Sequence, residues 1–221
     1  MATGSDEVEP IGVRFFGKMS ASISHEIKNV LAVINENAGL LQDICFMADR
    51  GKPVDVSRLK RIASDVMDQV RRADRIVTAM SRFAHSADEP SAATDLGELT
   101  ALLGVLAMRF AAMRGVAVQA LAPSAPVLVA TFPFELLNLL WICLDCAMTA
   151  AGPGRMVELV AEKTAEGGRV RFRSLEPPGA ESVADSALGR LSALPRVLNA
   201  TIAADDTNTE LVVRLPQGPL A

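Results

Sequence analysis

The sequence predicts an α+β fold in two parts. The first is an antiparallel helical hairpin that pairs with a second copy into a dimeric four-helix bundle, and the second is a two-layer α/β sandwich. Three observations lead to this prediction. Two long segments carry apolar residues at alternating spacings of three and four, a polar linker follows them, and short strand patterns mixed with helical patterns occupy the rest.

The first helix is predicted over about residues 11–49. Two interleaved rows of apolar residues repeat at heptad spacing, as in helices that pack along a seam. These rows are Phe16, Ile23, Val30 and Ile44 in one, and Ile27, Ile34 and Leu41 in the other. Residues 1–10 precede the pattern and are acidic and polar, so we expect a flexible tail and no signal peptide.

The second helix follows a loop at 50–53 that contains glycine and proline, with Asp55 or Ser57 as its N-cap. Its predicted seam is Leu59, Ala63, Val66, Val70, Ala73, Val77 and Met80. A single hairpin, predicted over 11–87, encloses little core. Dimerisation into a four-helix bundle is therefore expected.

A polar linker at 88–93 separates the hairpin from a second domain at 94–221. The predicted elements of that domain are a helix at 96–113, strands at 116–118 and 127–129, a buried helix at 134–150, a strand hairpin at 157–160 and 169–172, a helical stretch at 181–198 interrupted by Pro195, and strands at 201–204 and 210–215. This order predicts a sandwich with its helices on one face of the sheet.

Composition limits the class of protein. The chain has 221 residues, of which 50% are hydrophobic, enough for a well-formed core. The net charge of −4 gives no basic field for nucleic acid. The longest apolar run, 134–151, is interrupted by Asn138 and Asp145 and is predicted to be a buried helix rather than a membrane span.

Three cysteines do not make a disulfide framework, so we expect a reducing, cytoplasmic compartment. Cys143 and Cys146 form a CxxC pair, which raises the alternatives of a redox or zinc site. A structural zinc site needs four ligands, and cysteines in an apolar helix are usually core residues. We therefore interpret the pair as part of the core.

The run at 24–29, Ser-His-Glu-Ile-Lys-Asn, carries the strongest candidate chemistry. His25 and Asn29 share a helix face, while the seam residues Ile23 and Ile27 lie about 160° away, so His25 should face solvent. A neutral imidazole can attack a phosphoryl group. Glu26 is suited to accept a hydrogen bond from the other ring nitrogen, and Asn29 to hold a phosphoryl oxygen or orient water. The alternative is that these are ordinary solvated residues.

This run resembles the H-box of bacterial two-component sensor histidine kinases. The order of a dimerising hairpin and an α+β ATP-binding domain resembles that family over about 11–216, although Val30 stands where the family usually has proline. The resemblance implies that His25 is the phosphorylated histidine and Glu26 its acid/base neighbour. It also implies that Asn29 helps to dephosphorylate a partner receiver domain. His85, the other histidine, has no predicted role.

The family's nucleotide motifs are not matched. Aligning 136–148 with the family's Asn-rich helix puts Cys143 at the key Asn, and a thiol is a poor ligand for magnesium. Asn138 could take the place of that key Asn only if the alignment of this helix with the family were shifted. The family has two glycine-rich motifs whose backbone approaches the nucleotide phosphates. At the corresponding positions this chain has the segment 174–179, with one glycine, and the single Gly189. We therefore expect no cofactor on this chain and Mg²⁺ on a partner receiver.

These observations predict a two-component signalling protein that carries a phosphoryl group on His25. It would exchange this group with the Asp of a response-regulator receiver, as a phosphotransferase or receiver phosphatase, without binding ATP. The expected partners are a second copy, the receiver and an upstream hybrid kinase. Two alternatives remain open: an ATP-dependent sensor histidine kinase core with divergent nucleotide motifs, and a non-catalytic dimeric adaptor that regulates a kinase or receiver.

Overall fold

A computed structural model describes residues 5–88, 91–173, 179–205, 207 and 209–217. The chain divides into two compact units. The hairpin unit is Ser20–Ser81, and the sandwich unit is Met1–Met19 together with Arg82–Ala221. The ends of the long hairpin helices thus belong to the sandwich unit.

The order of elements matches the predicted α+β fold, a helical hairpin followed by an α/β sandwich. The helices are α1 Ser5–Asp49, α2 Val56–Asp88, α3 Leu96–Arg114, α4 Pro133–Ala151, α5 Gly179–Leu191 and α6 Leu194–Val197. The strands are β1 Ala92–Asp95, β2 Ala117–Leu121, β3 Leu128–Thr131, β4 Met156–Thr164, β5 Gly167–Arg173, β6 Thr201–Ala204 and β7 Leu211–Pro216.

Two predicted boundaries need correction. Helix α1 already begins at Ser5, so residues 5–10 are helical where the sequence predicted a flexible tail; residues 1–4 lie outside the described residues. Strand β1 takes in the last two residues of the predicted linker, Ala92 and Ala93, because it pairs antiparallel with β3. Such pairing partners lie far apart in sequence, and a four-residue strand has too short a pattern to be predicted alone.

In the hairpin unit, the predicted seam of α1 is confirmed from Ile23 onward, whereas Phe16, also predicted for the seam, is 39% exposed. Ile23, Val30 and Ile44 are buried, at intervals that are multiples of seven. Asn37 fills the remaining place in this row, and its Nδ2 donates to the Val33 carbonyl at 2.9 Å. This bond satisfies a donor that would otherwise be buried without a partner.

The N-cap of α2 is Asp55, one of the two predicted caps. Its Oδ1 accepts from the backbone N–H groups of Ser57 at 2.9 Å and Arg58 at 3.2 Å. A carboxylate here also interacts favourably with the positive end of the helix dipole. The cap therefore fixes where the second helix starts after the loop.

The predicted seam of α2 is wrong for four of its seven residues: Ala63, Val70, Val77 and Met80 are exposed, while Leu59, Val66 and Ala73 are half-buried. The buried residues include Ile62 and Ile76, whereas the predicted seam residues Val70 and Val77 are 45% and 53% exposed. The row 62, 69, 76 lies next to the row 63, 70, 77, about 100° around the helix. Both rows satisfy the three-and-four spacing, and packing decides which one becomes buried. The outward row, which we call the outer α2 stripe, consists of Val56, Ala63, Met67, Val70 and Val77.

The sandwich unit contains a five-stranded sheet in the order β2-β4-β5-β7-β6. Strands β2 and β4 are parallel, and the other neighbours are antiparallel. Along β4, Val157, Leu159 and Ala161 are buried and alternate with Glu158 and half-buried residues. Helices α3, α4 and α5 contact the sheet or each other. The sheet therefore has a helix-covered face and a charged face, as predicted.

Gly167 and Gly168 open β5, and packing requires both glycines. Gly167 has φ 147°, and a Cβ there would lie 2.2 Å from the Leu215 carbonyl oxygen. A Cβ on Gly168 would lie 2.7 Å from Leu96 Cδ1. Gly167 therefore allows the close approach of the paired strand β7, and Gly168 allows the close packing of Leu96 against β5.

Four phenylalanines form one cluster in the sandwich unit. Phe15 packs edge-on against Phe83 with ring centroids 5.4 Å apart, and Phe16 stacks on Phe83 at 5.2 Å. Phe134 of α4 lies 5.5 Å from Phe15 and 5.9 Å from Phe83. Such ring pairs add to the hydrophobic gain from burial. They explain why the first residues of α1 and the last residues of α2 belong to the sandwich unit.

By length and composition alone, three of the described helices could cross a membrane: the Ile11–Asp49 part of α1, α3 and α4. In α4, 72% of the apolar window is buried inside the protein. The absence of a membrane span from this chain stays a prediction.

Candidate functional site

His25 lies on an exposed part of α1. Its neighbours in the heptad rows, Ile23 and Ile27, turn inward, and the helical period leaves the imidazole in solvent as predicted. Among the described residues, none is hydrogen-bonded to the imidazole. Both ring nitrogens are therefore accessible to a partner.

Glu26 is held by two groups. Its Oε2 accepts from Arg72 Nη2 on α2 at 2.6 Å, and its Oε1 accepts from Asn29 Nδ2 at 3.1 Å. The Glu26 side chain is only 13% exposed. A carboxylate at this depth is stable when both oxygens have charged or polar partners.

The structure thus brings Glu26 and Asn29 together, but it does not pair Glu26 with His25. Neighbouring residues on a helix point about 100° apart, and the Arg72 charge draws the carboxylate toward α2. Asn29 keeps its carbonyl oxygen and its second N–H without partners among the described residues. These groups remain available to a phosphoryl oxygen or a water molecule.

Arg72 was not predicted from the sequence. It lies beside Ala73, a half-buried residue of α2, and the only sequence signal is a basic residue next to an apolar seam position. Which α1 residue it meets depends on the register between the two helices. That register is set by packing and not by either helix alone.

A second polar cluster lies inside the sandwich unit around Asp145 of α4. Its Oδ1 accepts from Arg114 Nη2 at 2.6 Å, and its Oδ2 from Arg190 Nη2 at 2.8 Å. Arg190 Nη1 also donates to Cys146 Sγ at 3.2 Å. Lys18 Nζ of α1 lies 4.0 Å from Asp145 Oδ1. The Asp145 side chain, 8% exposed, therefore joins α3, α4 and α5.

The pKa values of Asp145 and Cys143 are shifted in opposite directions. Burial of Asp145 favours its neutral form, but the hydrogen bond from Arg190 and the charges of Lys18 and Arg114 outweigh it and lower the pKa of the carboxyl. Burial raises the pKa of the Cys143 thiol well above its usual range. Cys143 is therefore a neutral core thiol, in agreement with its interpretation from the sequence.

Two positions that the sequence aligns with the family's nucleotide motifs, Cys143 and Gly189, lie within helices α4 and α5. Cys143 is fully buried, and both oxygens of Asp145 are occupied by arginines. Gly189 lies inside α5 rather than in a loop. Within the described ranges, no group of three or more His, Cys, Asp or Glu residues could hold a metal ion. Residues 174–178, most of the segment at the predicted Asp-x-Gly-x-Gly position, lie outside the described residues.

Neither protein-family models nor curated proteins match this sequence. Among solved structures, the nucleotide-free catalytic domain of histidine kinase ThkA is 15% identical, with a TM-score of 0.50, covering 59% of this chain and 100% of that chain. The complex of ThkA with response regulator protein TrrA is 16% identical, with a TM-score of 0.48, covering 99% of this chain and 68% of that chain. A bacterial phosphotransferase is 16% identical, with a TM-score of 0.45, covering 89% and 93%. The match to the ThkA catalytic domain shows that about 59% of this chain has a fold like that of a histidine kinase catalytic domain.

Proposed function

We propose that this protein is a two-component signalling protein that carries a phosphoryl group on His25 and exchanges it with the Asp of a response-regulator receiver domain. The observation that carries the proposal is the arrangement at His25. An exposed imidazole lies beside a carboxylate that is already paired with Arg72, with a partly free carboxamide one turn further along α1.

The proposed transfer needs no group on this chain beyond the imidazole and its neighbours. The unprotonated ring nitrogen of His25 attacks the phosphorus of the receiver's acyl phosphate. A nitrogen–phosphorus bond forms while the phosphorus–oxygen bond breaks, and the receiver's carboxylate leaves with the electron pair. The other ring nitrogen keeps its proton, so the imidazole becomes positively charged. The reverse steps deliver the group to a second receiver.

Arg72 has a clear electrostatic role in this proposal. A bare carboxylate beside His25 would repel the incoming phosphoryl group, which carries negative charge. The ion pair with Arg72 removes most of that repulsion. Glu26 nevertheless remains the residue next to His25, so its negative charge can stabilise the positive charge of the phosphorylated ring.

Asn29 supports the transfer of the phosphoryl group to water instead of to His25. Its free carbonyl oxygen and N–H are suited to orient a water molecule toward a receiver's acyl phosphate. Attack by that water would release inorganic phosphate, so the protein would then act as a receiver phosphatase. Mg²⁺ is expected on the receiver, where it would balance phosphoryl charge.

The source of the phosphoryl group is proposed to be a receiver, fed by an upstream hybrid kinase, and not ATP. The support is the chemistry of α4 and α5. The Asp145–Arg190 pair and the buried Cys143 occupy the elements from which the family's nucleotide ligands come. A nucleotide there would have to displace an ion pair that joins these two helices.

The proposed assembly is a homodimer formed through the outer α2 stripe. Isolated apolar surface residues are common, but here Val56, Ala63, Val70 and Val77 repeat every seven residues along one line. A second copy would cover this row and complete a four-helix bundle. A cytoplasmic location is also proposed, because the three cysteines are unpaired.

The decisive experiment mixes the protein with a receiver that carries a labelled acyl phosphate and follows the label. Wild-type protein should gain label on His25, and His25→Ala should gain none. Asn29→Ala should still gain label but should slow receiver dephosphorylation by about tenfold or more, and the matched variant Asn35→Ala, exposed on the same helix, should behave as wild type.

The same assay separates the alternatives. Labelling of His25 by ATP without a receiver would favour the kinase core. A His25→Ala protein that still alters receiver dephosphorylation as wild type does would favour the adaptor. Either result overturns the exchange mechanism.

A further inference from the structure

Helix α2 carries a row of inward residues that is apolar except at one position. The row alternates in steps of three and four residues, the spacing at which helices pack along a seam. Its members are Leu59, Ile62, Val66, Gln69, Ala73 and Ile76, and each of them is buried or half-buried. A single polar residue in such a row lowers stability, so we expect Gln69 to make a specific contact.

The Oε1 atom of Gln69 is buried and has no hydrogen-bond partner among the described residues. The same part of the chain contains two other such side-chain atoms, Arg114 Nη1 and Thr131 Oγ1, and both belong to the sandwich unit. The polar residue in the buried row of α1 differs, because Asn37 Nδ2 donates to the Val33 carbonyl. A buried acceptor without a donor costs free energy, so Gln69 indicates a donor that the single chain does not supply.

Helix α1 presents an apolar residue to Gln69. Arg72 contacts Glu26 across the two antiparallel helices, so Gln69, one turn earlier on α2, lies about one turn beyond Glu26 on α1. The inward residue of α1 at that height is Val30, which is 1% exposed and has no polar side-chain atom. Asn29 is exposed, about 100° around α1 from Val30, and its amide donates to Glu26. The donor for Gln69 therefore has to come from another molecule.

A second copy of this chain supplies the matching donor. A carboxamide is self-complementary, since it has one acceptor oxygen and two N–H donors. A two-fold axis along a parallel bundle brings each residue level with its own counterpart. The outer α2 stripe adjoins the row that contains Gln69, because Val70 follows Gln69 and Ala63 follows Ile62. A copy that covers the stripe therefore also lies close to Gln69.

We propose that Gln69 of one protomer and the partner's Gln69 hydrogen-bond to each other inside the four-helix bundle, each Nε2 donating to the other Oε1. The inference rests on the proposed homodimer and adds what selects the partner. One polar layer fixes the register of the two hairpins, because a shifted or foreign hairpin would bury the carboxamide against apolar residues. In-register pairing places both His25 residues at the same height along the bundle.

Variants of opposite charge test whether the two Gln69 positions meet. In the full-length protein, Gln69→Glu and Gln69→Lys should each weaken the dimer at least about tenfold at pH 7, because two like charges come together in the bundle. An equimolar mixture should form a mixed dimer that is tighter than either parent. Sedimentation velocity measures the association, and native mass spectrometry counts the mixed dimer. Gln42→Glu and Gln42→Lys, at an exposed glutamine of α1, should each remain dimeric and mix at random.

If circular dichroism shows that the charged variants unfold, Gln69→Leu decides. Leucine fits the apolar row, so this variant should associate at least as tightly as wild type but lose the single register and form species larger than a dimer. A wild-type dimer whose charged variants show no preference for the mixed dimer, or in the second case a strictly dimeric Gln69→Leu, would overturn the inference alone. A wild-type monomer at micromolar concentration would overturn the proposed homodimer and the inference together. Labelling of His25 by a receiver is measured separately from both results.

Discussion

Arg72 of α2 holds Glu26 of α1 through an Nη2–Oε2 contact of 2.6 Å, and this pair joins the two helices beside His25. Arg72→Ala should lower the free energy of unfolding by about 1 kcal/mol, because it leaves a mostly buried carboxylate with only Asn29 as a partner. Urea unfolding measures the change. Arg71→Ala is the matched control, since Arg71 pairs with Asp68 on the surface and should contribute about 0.3 kcal/mol. Equal losses for both variants would contradict a special role for Arg72.

The outer α2 stripe predicts how the protein assembles. Val70→Asp and Val77→Asp should convert a dimer to a monomer, because each would place a carboxylate within the apolar contact of two hairpins. Sedimentation velocity at micromolar concentration reads the outcome directly. Ser64→Asp, exposed about 120° from Val70 around α2, should remain dimeric. A wild-type monomer under these conditions would count against the four-helix bundle.

The Asp145 network predicts an acid-sensitive sandwich unit. The folded-state pKa of Asp145 is lowered, so its stabilising contribution is complete above the ordinary Asp value and is lost as pH falls below about 4 through the lowered pKa. At pH 7, Asp145→Asn should cost about 2 kcal/mol, because Arg114 and Arg190 lose a charged partner.

Urea unfolding at pH 7 and at about pH 2.5 tests whether the stabilisation by Asp145 decreases as the pH falls. The difference between wild type and Asp145→Asn should shrink at the lower pH, where the wild-type carboxyl gains its proton. Glu158→Gln, which removes a longer contact to Arg173 of 3.6 Å on the sheet surface, should have little effect at either pH. If the difference in free energy of unfolding between wild type and Asp145→Asn instead grew as the pH fell, the pKa of Asp145 could not be lowered in the folded state.

The three cysteines should differ sharply in reactivity. Cys45 is exposed, whereas Cys143 and Cys146 are buried in α4, and burial raises the pKa of Cys143. Titration with a disulfide reagent at pH 8 should modify one thiol quickly and two only on unfolding, because the thiolate is the reactive form. Cys45→Ser should remove the fast phase. A second fast thiol in the native protein would argue against the closed packing of α4.

The sequence predicted the α1 seam from Ile23 onward and the solvent exposure of His25 correctly, and both follow from the helical period. Once Ile23, Ile27 and Val30 are inward, the helical period places position 25 on the outward face. The strand pair β4–β5 also followed from local alternation and turn signals, as did the separate strands β6 and β7, whose pairing was not predicted. These features depend on residues that are neighbours along the chain.

The seam of α2 could not be predicted from the helical period alone. Ile62 and Ala63 both lie on apolar rows of acceptable spacing, and nothing within α2 says which row meets α1. The pairing of Arg72 with Glu26 depends on the same choice of face and register. Both are settled by the packing of one helix on another.

What the sequence by itself determined is therefore local: the two long helices, the exposed His25, a helix cap at Asp55 or Ser57 and the order of strands. Only the tertiary structure decided that Glu26 turns to Arg72 rather than to His25, that Asp145 joins three helices, and that Asn138 lines a cavity. The physical reason is that helix periodicity fixes the direction of a side chain relative to its own helix. The charge or cavity that the side chain meets comes from elements far away in sequence.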